Sequence, residues 1–403
     1  MKAIKVKLYL LPQQASYANN LLGCSRFVYN NCLDFKIKHY NETKKSTSFG
    51  ELGKHLNSLK SEFQWLKDVH SKVLQQSLIN LEYSYKNFFK NGMGFPKFKK
   101  KSQKQSCRFP VDAISGVNGN RINLIRQLKD IHYKCSVRDE KLLNKYQDLI
   151  KSATLSKSKS GEYFLSILID IKSIKQLPKT DKVIGLDLGI KDFIVTSDSQ
   201  KFENLKSIRN NQKKLSKLHR NLSRKQNKSK NKNKARVKLA KFHEKIHNIK
   251  ENYLHYISNQ LLNENQVIVI EDLNVSGMLK NHKLAKSIQE LSLNRFKQLL
   301  TYKTDWYGRD LIEIDRFYPS SKTCSCCGYK KTDLTLKDRK WVCPICLSKH
   351  NRDYNAAINI RNEGIRLFKI KIGLSSPELT PLKRTTLVDS LKKEKNVNVV
   401  VTI

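Results

Sequence analysis

Two pairs of closely spaced cysteines are the feature that most restricts how this chain can fold. They read Cys324-Ser-Cys-Cys327 and Cys343-Pro-Ile-Cys346, and fifteen residues separate them. Two cysteines with two residues between them can both reach one ion from a single turn, and fifteen residues are enough for a hairpin that brings the second pair round. We therefore predict one structural Zn²⁺, without a catalytic role, held by Cys324, Cys327, Cys343 and Cys346.

Two further side chains could compete for this ion. Cys326 lies inside the first pair, as a spare thiol or an alternative ligand, and His350 follows the second pair closely. Four thiolates already fill a closed tetrahedral site, so His350 is not expected to bind. The remaining cysteines are scattered along a long chain without a signal peptide, which favours a reducing cytoplasm over a disulfide framework.

The charge balance indicates a polyanionic partner. Lys and Arg number 78 against 35 Asp and Glu, which gives a formal net charge of +43 at pH 7. Such an excess destabilises a compact chain through self-repulsion unless a polyanion neutralises it. The N-terminal run from Met1 to Leu11 is too short to span a bilayer and is interrupted by lysines, so no membrane partner is expected. Nucleic acid is the favoured partner.

Hydrophobic periodicity divides the chain into β-type and helical parts. Segment 3–11 alternates basic with apolar residues, as a half-buried strand does, and segment 13–90 has helical spacing. Further β-type runs at 121–124, 133–137 and 163–169 predict a small β-barrel that the helical block interrupts. Two buried strands at 183–188 and 266–270 follow, and the run 355–361 is strongly helical.

Three acidic residues lie in or beside these buried elements. Asp187 lies inside an apolar strand, Glu271 ends the second strand, and Asp353 precedes the Ala-rich helix. A buried carboxylate is costly without a cation or hydrogen bonds, and three together repel one another. Two Mg²⁺ or Mn²⁺ ions about 4 Å apart would relieve that repulsion and support phosphodiester hydrolysis. Each acid also has a structural explanation as a turn cap, a lysine partner or a helix N-cap, and Asp272 is an alternative to Glu271.

Four segments in this order resemble the TnpB family, transposon-encoded relatives of compact type V CRISPR nucleases. They are Val183 to Ile190, Val267 to Asn274, the two cysteine pairs, and Arg352 to Asn359. The N-terminal half is similar to the family's recognition region in segments 23–30, 74–76, 87–89 and 95–98, so the resemblance covers nearly the whole chain except its tail. The chain departs from the family pattern at Asn351, where an acid is common, and at Leu347, where Gly is common.

The resemblance implies an α/β plus α+β fold. It consists of an RNase H-like (RuvC) nuclease domain with an inserted zinc ribbon, preceded by a small β-barrel that a helical recognition block interrupts. The implied parts are 1–10, the first barrel strand; 11–92, the recognition domain; 93–175, the rest of the barrel; 176–322, the first part of the nuclease domain; 323–347, the zinc ribbon; and 348–372, the last part of the nuclease domain. Segment 373–403, outside the resemblance, lacks a core pattern and is predicted to be a mobile tail.

The implied activity is metal-dependent, RNA-guided hydrolysis of DNA. A guide RNA from the transposon end would pair with a double-stranded DNA target, and the protein would read a short flanking motif. Asp187, Glu271 and Asp353 match the family's metal-binding acids, and the four cysteines match its zinc ligands. A bacterial or archaeal cytoplasm beside the nucleoid, and a separate transposase from the same element, are also implied. A catalytically silent nucleic-acid-binding regulator and a transposase that performs strand transfer stay open as alternatives.

Two groups of polar side chains are predicted to contact nucleic acid. The first is a basic run beside Phe95 and Phe98, whose rings are expected to fill the barrel. The second lies on a helix that resembles the DNA-reading region, where glutamine can pair with adenine; an ordinary polar helix face is the alternative. The groups are Lys97, Lys99 and Lys100, and Lys72, Gln75 and Gln76.

The aromatic residues at the end of this helical block are predicted to be buried. Their spacing matches the apolar stripe of the helix, so core packing is favoured over stacking on bases. They are Tyr85, Phe88 and Phe89.

Overall fold

A computed structural model describes residues 1–171, 176–205, 210–335 and 338–371. Contacts group these residues into two compact units, the first drawn from 1–173 and 224–241 and the second from the remaining described residues. The tail predicted at 373–403 lies outside the described residues, and the predicted domain boundaries stay predictions. Within the described ranges, no helix carries an apolar stretch long enough to cross a bilayer.

The first unit begins with a strand, continues with three helices and ends with a series of strands. In chain order the elements are β1 (Lys2–Tyr9), α1 (Pro12–Thr43), α2 (Phe49–Glu62), α3 (Ser71–Asn91), β2 (Gln105–Pro110), β3 (Gly116–Asn118), β4 (Arg121–Asn123), β5 (Ile131–Lys134), α4 (Val137–Lys145), β6 (Ile150–Lys157) and β7 (Tyr163–Ile169). The alternation predicted for the first strand is confirmed, because Ile4, Val6 and Leu8 are buried while Lys5 is exposed. The helical block that interrupts the β-type runs is also confirmed.

The strands of the first unit form one open antiparallel sheet. Their order is β2-β6-β7-β1-β5-β4-β3, so β1 lies centrally between β7 and β5. The predicted small β-barrel is not observed, because no pairing within the described residues joins the edge strands β2 and β3. The physical reason is that β3 and β4 are only three residues each, which leaves few ladder hydrogen bonds with which to close the sheet.

The second unit alternates strands and helices. Its elements are β8 (Val183–Leu188), β9 (Asp192–Thr196), β10 (Lys201–Glu203), α5 (Gln212–Ser223), α6 (Lys230–Glu264, whose first turns are grouped with the first unit), β11 (Val267–Glu271), α7 (Val275–Met278), α8 (His282–Leu291), α9 (Leu293–Tyr307), β12 (Asp310–Ile314), β13 (Lys340–Val342), β14 (Lys349–Asn351) and α10 (Arg352–Lys371).

A five-stranded mixed sheet organises the second unit. Its order is β10-β9-β8-β11-β12, with β8 antiparallel to β9 but parallel to β11, and β11 parallel to β12. Alternate residues of β11 serve the two faces: Ile268 and Ile270 pack with α6, α8 and α9, whereas Val267 and Val269 pack with Ile360 of α10. Because both faces are covered, the central strands are apolar along most of their length, as the sequence indicated.

Candidate functional site

Two of the three predicted acids lie side by side at one edge of the second sheet. Asp187 is the fifth residue of β8, and Glu271 is the last residue of β11. These strands are parallel, with Ile270 opposite Leu186, so the register carries Glu271 to the level of Asp187. In such a sheet the carboxyl ends of neighbouring strands form the usual crevice for a ligand.

The third acid reaches this edge because α10 packs very closely on the sheet. A Cβ added to Gly185 of β8 would lie 2.2 Å from the carbonyl oxygen of Ala357, and one added to Gly364 of α10 would lie 2.3 Å from Val269 Cγ2. Only glycine allows this approach, and it directs Asp353, in the first turn of α10, toward the ends of β8 and β11. Asn351 caps the same helix, since its side chain accepts a hydrogen bond from the Tyr354 backbone N–H at 3.3 Å.

The electrostatics of these carboxylates show that they share one environment. The pKa of Asp187 is raised to about 8, first by burial and then by the negative charges of Glu271 and Asp353, while Arg352 and Arg339 act in the opposite direction. Burial also raises the pKa of Glu271, against a hydrogen bond from Ser320 that lowers it. The structure therefore brings the three acids, called here the acid site, within electrostatic reach of one another.

Hydrogen bonds that the sequence did not reveal hold two of the acids. Ser320 Oγ donates to Glu271 Oε1 at 2.6 Å, and the Ser320 carbonyl accepts from Asn359 Nδ2 of α10 at 2.7 Å. Arg339 donates from one guanidinium nitrogen to both oxygens of Asp353, at 3.2 and 3.3 Å. These residues are distant from the acids in sequence or lack a motif, although Asn359 lies in the Ala-rich run that the sequence singled out.

Asp272, the alternative to Glu271, is engaged elsewhere. Its carboxylate accepts hydrogen bonds from Arg316 at 2.5 Å and from Lys297 at 3.4 Å. These two cations hold its pKa below the usual range, whereas the pKa of Glu271 is raised. Asp272 lies one residue beyond the end of β11, and Glu271 is the one of the two acids whose charge acts on Asp187.

The four paired cysteines come together in space. Their sulfur atoms all lie within 4.8 Å of one another, and the closest pairs are Cys324 with Cys346 at 3.6 Å and Cys327 with Cys343 at 3.5 Å. Tetrahedral zinc with bonds of about 2.3 Å requires sulfur separations of roughly 3.8 Å. This group, called here the cysteine cluster, therefore fits a tetrahedral metal ion.

The two cysteine turns share one backbone design. In each turn the residue after the second cysteine donates its N–H to the carbonyl of the first cysteine, from Gly328 at 2.9 Å and from Leu347 at 3.0 Å. Both residues have positive φ, 79° for Gly328 and 58° for Leu347. The turn is thus retained although leucine replaces the glycine, at a conformational cost that glycine avoids.

His350 lies closer to the cysteine cluster than expected. Its Nε2 is 3.1 Å from Cys324 Sγ, and Cys324, Cys326 and His350 form a second group whose ligand atoms lie within 4.8 Å of one another. Within the described ranges, the two sets of possible metal ligands whose atoms all lie within 4.8 Å of one another both belong to this part of the chain. The three carboxylates of the acid site do not form such a set. The carboxylates are therefore spaced more widely than the thiols.

The residues predicted to contact nucleic acid lie in three different surroundings: a groove, the exposed surface, and a half-buried position against a ring. Gln75 and Gln76 line a groove of about 420 Å³ in the first unit, and Lys72, in the same groove, pairs with Asp112. Lys97 and Lys100 are exposed. Lys99 is half-buried, with its Nζ 3.7 Å from the centre of the Tyr29 ring. Their contact with nucleic acid stays a prediction.

The expectation that aromatic rings fill a barrel is wrong. Phe95 and Phe98 are 44% and 47% exposed, and Phe89, predicted to be core, is 75% exposed. The reason is that the sheet is open and does not enclose Phe95 and Phe98, which follow the end of α3 at Gly92, while Phe89 lies in the last turn of that helix. Tyr85 and Phe88 are half-buried.

Three family models match the chain. They are described as "Probable transposase" of the OrfB IS605 type at residues 166–282, "Cas12f1-like, TNB domain" at 294–360, and "Helix-turn-helix domain" at 1–45. The last segment is here a strand followed by one long helix, β1 and α1.

Relatives and solved structures agree with these matches. A "Putative RNA-guided DNA endonuclease" of Streptomyces pristinaespiralis is 34% identical over 367 residues, 90% of this chain and 89% of the relative. The similarly named InsQ of Escherichia coli K12 is 31% identical, over 90% of this chain and 92% of the relative. A Cas12f1-sgRNA-target DNA complex contains a chain with a TM-score of 0.54 and 15% identity, covering 87% of this chain and 82% of that one. The chain belongs to the TnpB family, which confirms the resemblance, and it shares its fold with Cas12f1.

Proposed function

We propose that this chain is an RNA-guided DNA endonuclease encoded by a transposon. The observation that carries the proposal is the acid site, where the charges of Glu271 and Asp353 raise the pKa of Asp187. Relatives that align over nine-tenths of the chain are named for this activity, and the proposal extends their names to this protein. The second unit would be an RNase H-like (RuvC) domain, because a mixed five-stranded sheet with acids at adjacent strand ends suits that fold.

The acid site is chemically suited to hard divalent ions. Carboxylate oxygens are the ligands that Mg²⁺ and Mn²⁺ prefer, and the repulsion within the site would be relieved by binding them. When bound, two such ions supply an activated water and stabilise the leaving oxygen of the phosphodiester. Asp187, Glu271 and Asp353 would hold the ions, Ser320 would orient Glu271, and Arg339 would leave Asp353 as the ions bind.

The other parts of the proposal assign separate tasks to the guide RNA, the groove, the lysines and the cysteine cluster. Guide RNA pairs with double-stranded target DNA, and the groove with Lys72, Gln75 and Gln76 reads the flanking motif. Lys97, Lys99 and Lys100 contact phosphates, and the cysteine cluster holds one Zn²⁺. The protein would act on DNA at the nucleoid in the cytoplasm, with mobility of the element supplied by a separate transposase.

The decisive experiment uses the full chain purified with its own RNA. A plasmid library with a matching target and a randomised flank is incubated with Mg²⁺ or Mn²⁺, and broken ends are sequenced. The wild type should cut beside one short motif, Asp187→Asn should not, and Asp181→Asn, an exposed acid just before β8, should cut normally.

Each other outcome identifies a different alternative. Cutting by Asp187→Asn would show that the acid site is wrongly assigned. Guided binding by the wild type without cutting in either metal would favour a silent regulator. Recovery of joined donor and target strands, in place of simple breaks, would favour a transposase.

A further inference from the structure

An exposed group of aromatic rings lies at the end of α3. Phe89 is 75% exposed, Phe95 44% and Phe98 47%, and Met93 between them is 59% exposed. Single exposed apolar residues are ordinary, but contiguous exposed rings mark a site where something else binds. We call the four rings that contact one another, Tyr85, Phe88, Phe89 and Phe95, the aromatic patch; Phe98 is a further exposed ring three residues along the chain.

The patch is ordered by contacts among its own rings. Phe95 packs edge-on against Tyr85 and Phe88, at centroid distances of 5.6 and 5.4 Å, and Phe88 and Phe89 are 5.0 Å apart. Gly92, with φ of 60°, ends the helix and lets the chain fold back. A preordered surface loses little side-chain entropy when a flat partner binds.

The chain segment that carries the patch is basic. Residues 83–111 contain eight Lys or Arg and no Asp or Glu. The preceding acid, Glu82, is neutralised by an ion pair with Lys36 at 2.7 Å. The exposed ammonium groups closest in sequence to the rings are those of Lys86, Lys90, Lys97, Lys100 and Lys101. This charge complements a polyanion and disfavours an ordinary protein surface as the partner.

We propose that the aromatic patch stacks the unpaired bases of a single-stranded nucleic acid while the surrounding lysines bind its phosphates. Exposed rings combined with a basic groove are the standard means of holding single strands. A duplex would not use the rings, because its base faces are already stacked within the helix. The inference rests on the proposed function for the choice of nucleic acid as partner, but it does not depend on DNA cleavage.

The test measures binding of fluorescent single strands by the full chain, freed of RNA and without divalent metal. The probes are oligouridine and oligothymidine of about 15 nucleotides and a duplex of the same length. Phe89→Ala and Phe95→Ala should each weaken single-strand binding roughly tenfold, with an unchanged dependence on salt, and should leave duplex binding intact. The matched control is Tyr83→Ala, 54% exposed on the same helix, which should stay within about twofold.

Further variants separate stacking from loss of structure. Phe89→Tyr should restore binding and Phe89→Leu should not, because only an aromatic ring stacks. Stronger binding of oligouridine assigns the patch to an unpaired part of the guide RNA, and stronger binding of oligothymidine assigns it to a DNA strand. The inference is overturned if Phe89→Ala binds single strands as Tyr83→Ala does. It is equally overturned if the variant dissociates a wild-type dimer in light scattering without changing oligonucleotide affinity.

Discussion

The cysteine cluster and the acid site assemble their metal-binding side chains by opposite routes. The cluster draws four thiols from one short stretch, 324–346, where a local turn holds each pair and the two turns meet with all four sulfurs within 4.8 Å of one another. The acid site draws single carboxylates from β8, β11 and α10, and its members do not gather as tightly. The wider spacing of the carboxylates fits their mutual repulsion, which also contributes to the raised pKa of Asp187.

This comparison explains why the two sites contribute differently to the fold. A thiolate cluster that closes around an ion stabilises a segment with few apolar contacts of its own. Carboxylates held in a partly buried site destabilise the fold when no cation is bound. Such a destabilising arrangement is typical of a site that serves catalysis. The cysteine cluster should therefore govern stability, and the acid site should govern activity.

The largest expected effect concerns the two neighbouring acids at the end of β11. Glu271→Gln should lower the rate of DNA cleavage about a thousandfold or more, because it removes a charge that would hold the metal ions. Asp272→Asn should change the rate only a few-fold, since that carboxylate is paired with Arg316 and Lys297. Single-turnover cleavage by the RNA complex measures both. Equal losses in the two variants would contradict the assignment of Glu271.

A change in the cysteine cluster should act on metal content and stability. Cys343→Ser removes one of four ligands from a buried position, so zinc should fall from one ion per chain toward zero. The loss should be seen by metal analysis of reduced protein and as a lower unfolding temperature. Cys135→Ser, outside the cluster, is the control and should keep its zinc. Zinc-free wild-type protein would refute the site.

A change in the acid site should raise the stability of the metal-free protein, whereas a change in the cysteine cluster should lower it. In metal-free protein the pKa of Asp187 is raised from 3.8 to about 8, so the folded state keeps a proton that the unfolded state releases. The contribution of this group is therefore present at low pH and is lost as pH rises through that window. The amide side chain in the variant Asp187→Asn cannot ionise, so the variant avoids this loss of stability. The unfolding temperature of the variant minus that of the wild type should therefore be larger at about pH 8.5 than at about pH 5, by roughly 2–4 °C. Calorimetry in EDTA measures the difference; a gap independent of pH would be inconsistent with the raised pKa.

The smallest effect concerns the turn after the second cysteine pair. Leu347 is 73% exposed and has a φ of 58°, the conformation that Gly328 adopts at the equivalent position of the first pair. Leu347→Gly should raise the free energy of unfolding by about 0.5–1 kcal/mol. Glycine avoids the steric cost of this conformation, and the larger backbone entropy that glycine loses on folding offsets part of that gain. Chemical denaturation of the zinc-loaded protein measures it. Gly328→Leu should have the opposite sign.

Local patterns predicted most of what is local in this molecule. The alternation in β1, the apolar strands β8 and β11 and the cysteine spacing are each encoded within a few residues, and the structure contains all of them. The acids were recognisable because a carboxylate interrupts an apolar run. The roles of Ser320 and Arg339 were not, because nothing in their sequence surroundings indicates which strand end they contact.

The wrong predictions arose where tertiary structure decides burial. The β-type runs were taken to close into a barrel, but closure depends on the length of β3 and β4, which periodicity does not fix. Helical spacing predicts a buried Phe89, and the expected barrel predicts a buried Phe95, but both rings are exposed. Their exposure beside a basic, acid-free segment is instead what motivates the proposed single-strand site.

The most direct test of the central claim is to change the guide. The RNA that co-purifies with the chain is sequenced, its target-pairing segment of about 20 nucleotides is replaced, and cleavage is mapped on a DNA that carries both the old and the new targets. If the chain is an RNA-guided endonuclease, the Mg²⁺-dependent cut should move to the new target and vanish from the old one. Cutting that stays at the old target, or that persists without RNA, would contradict the account.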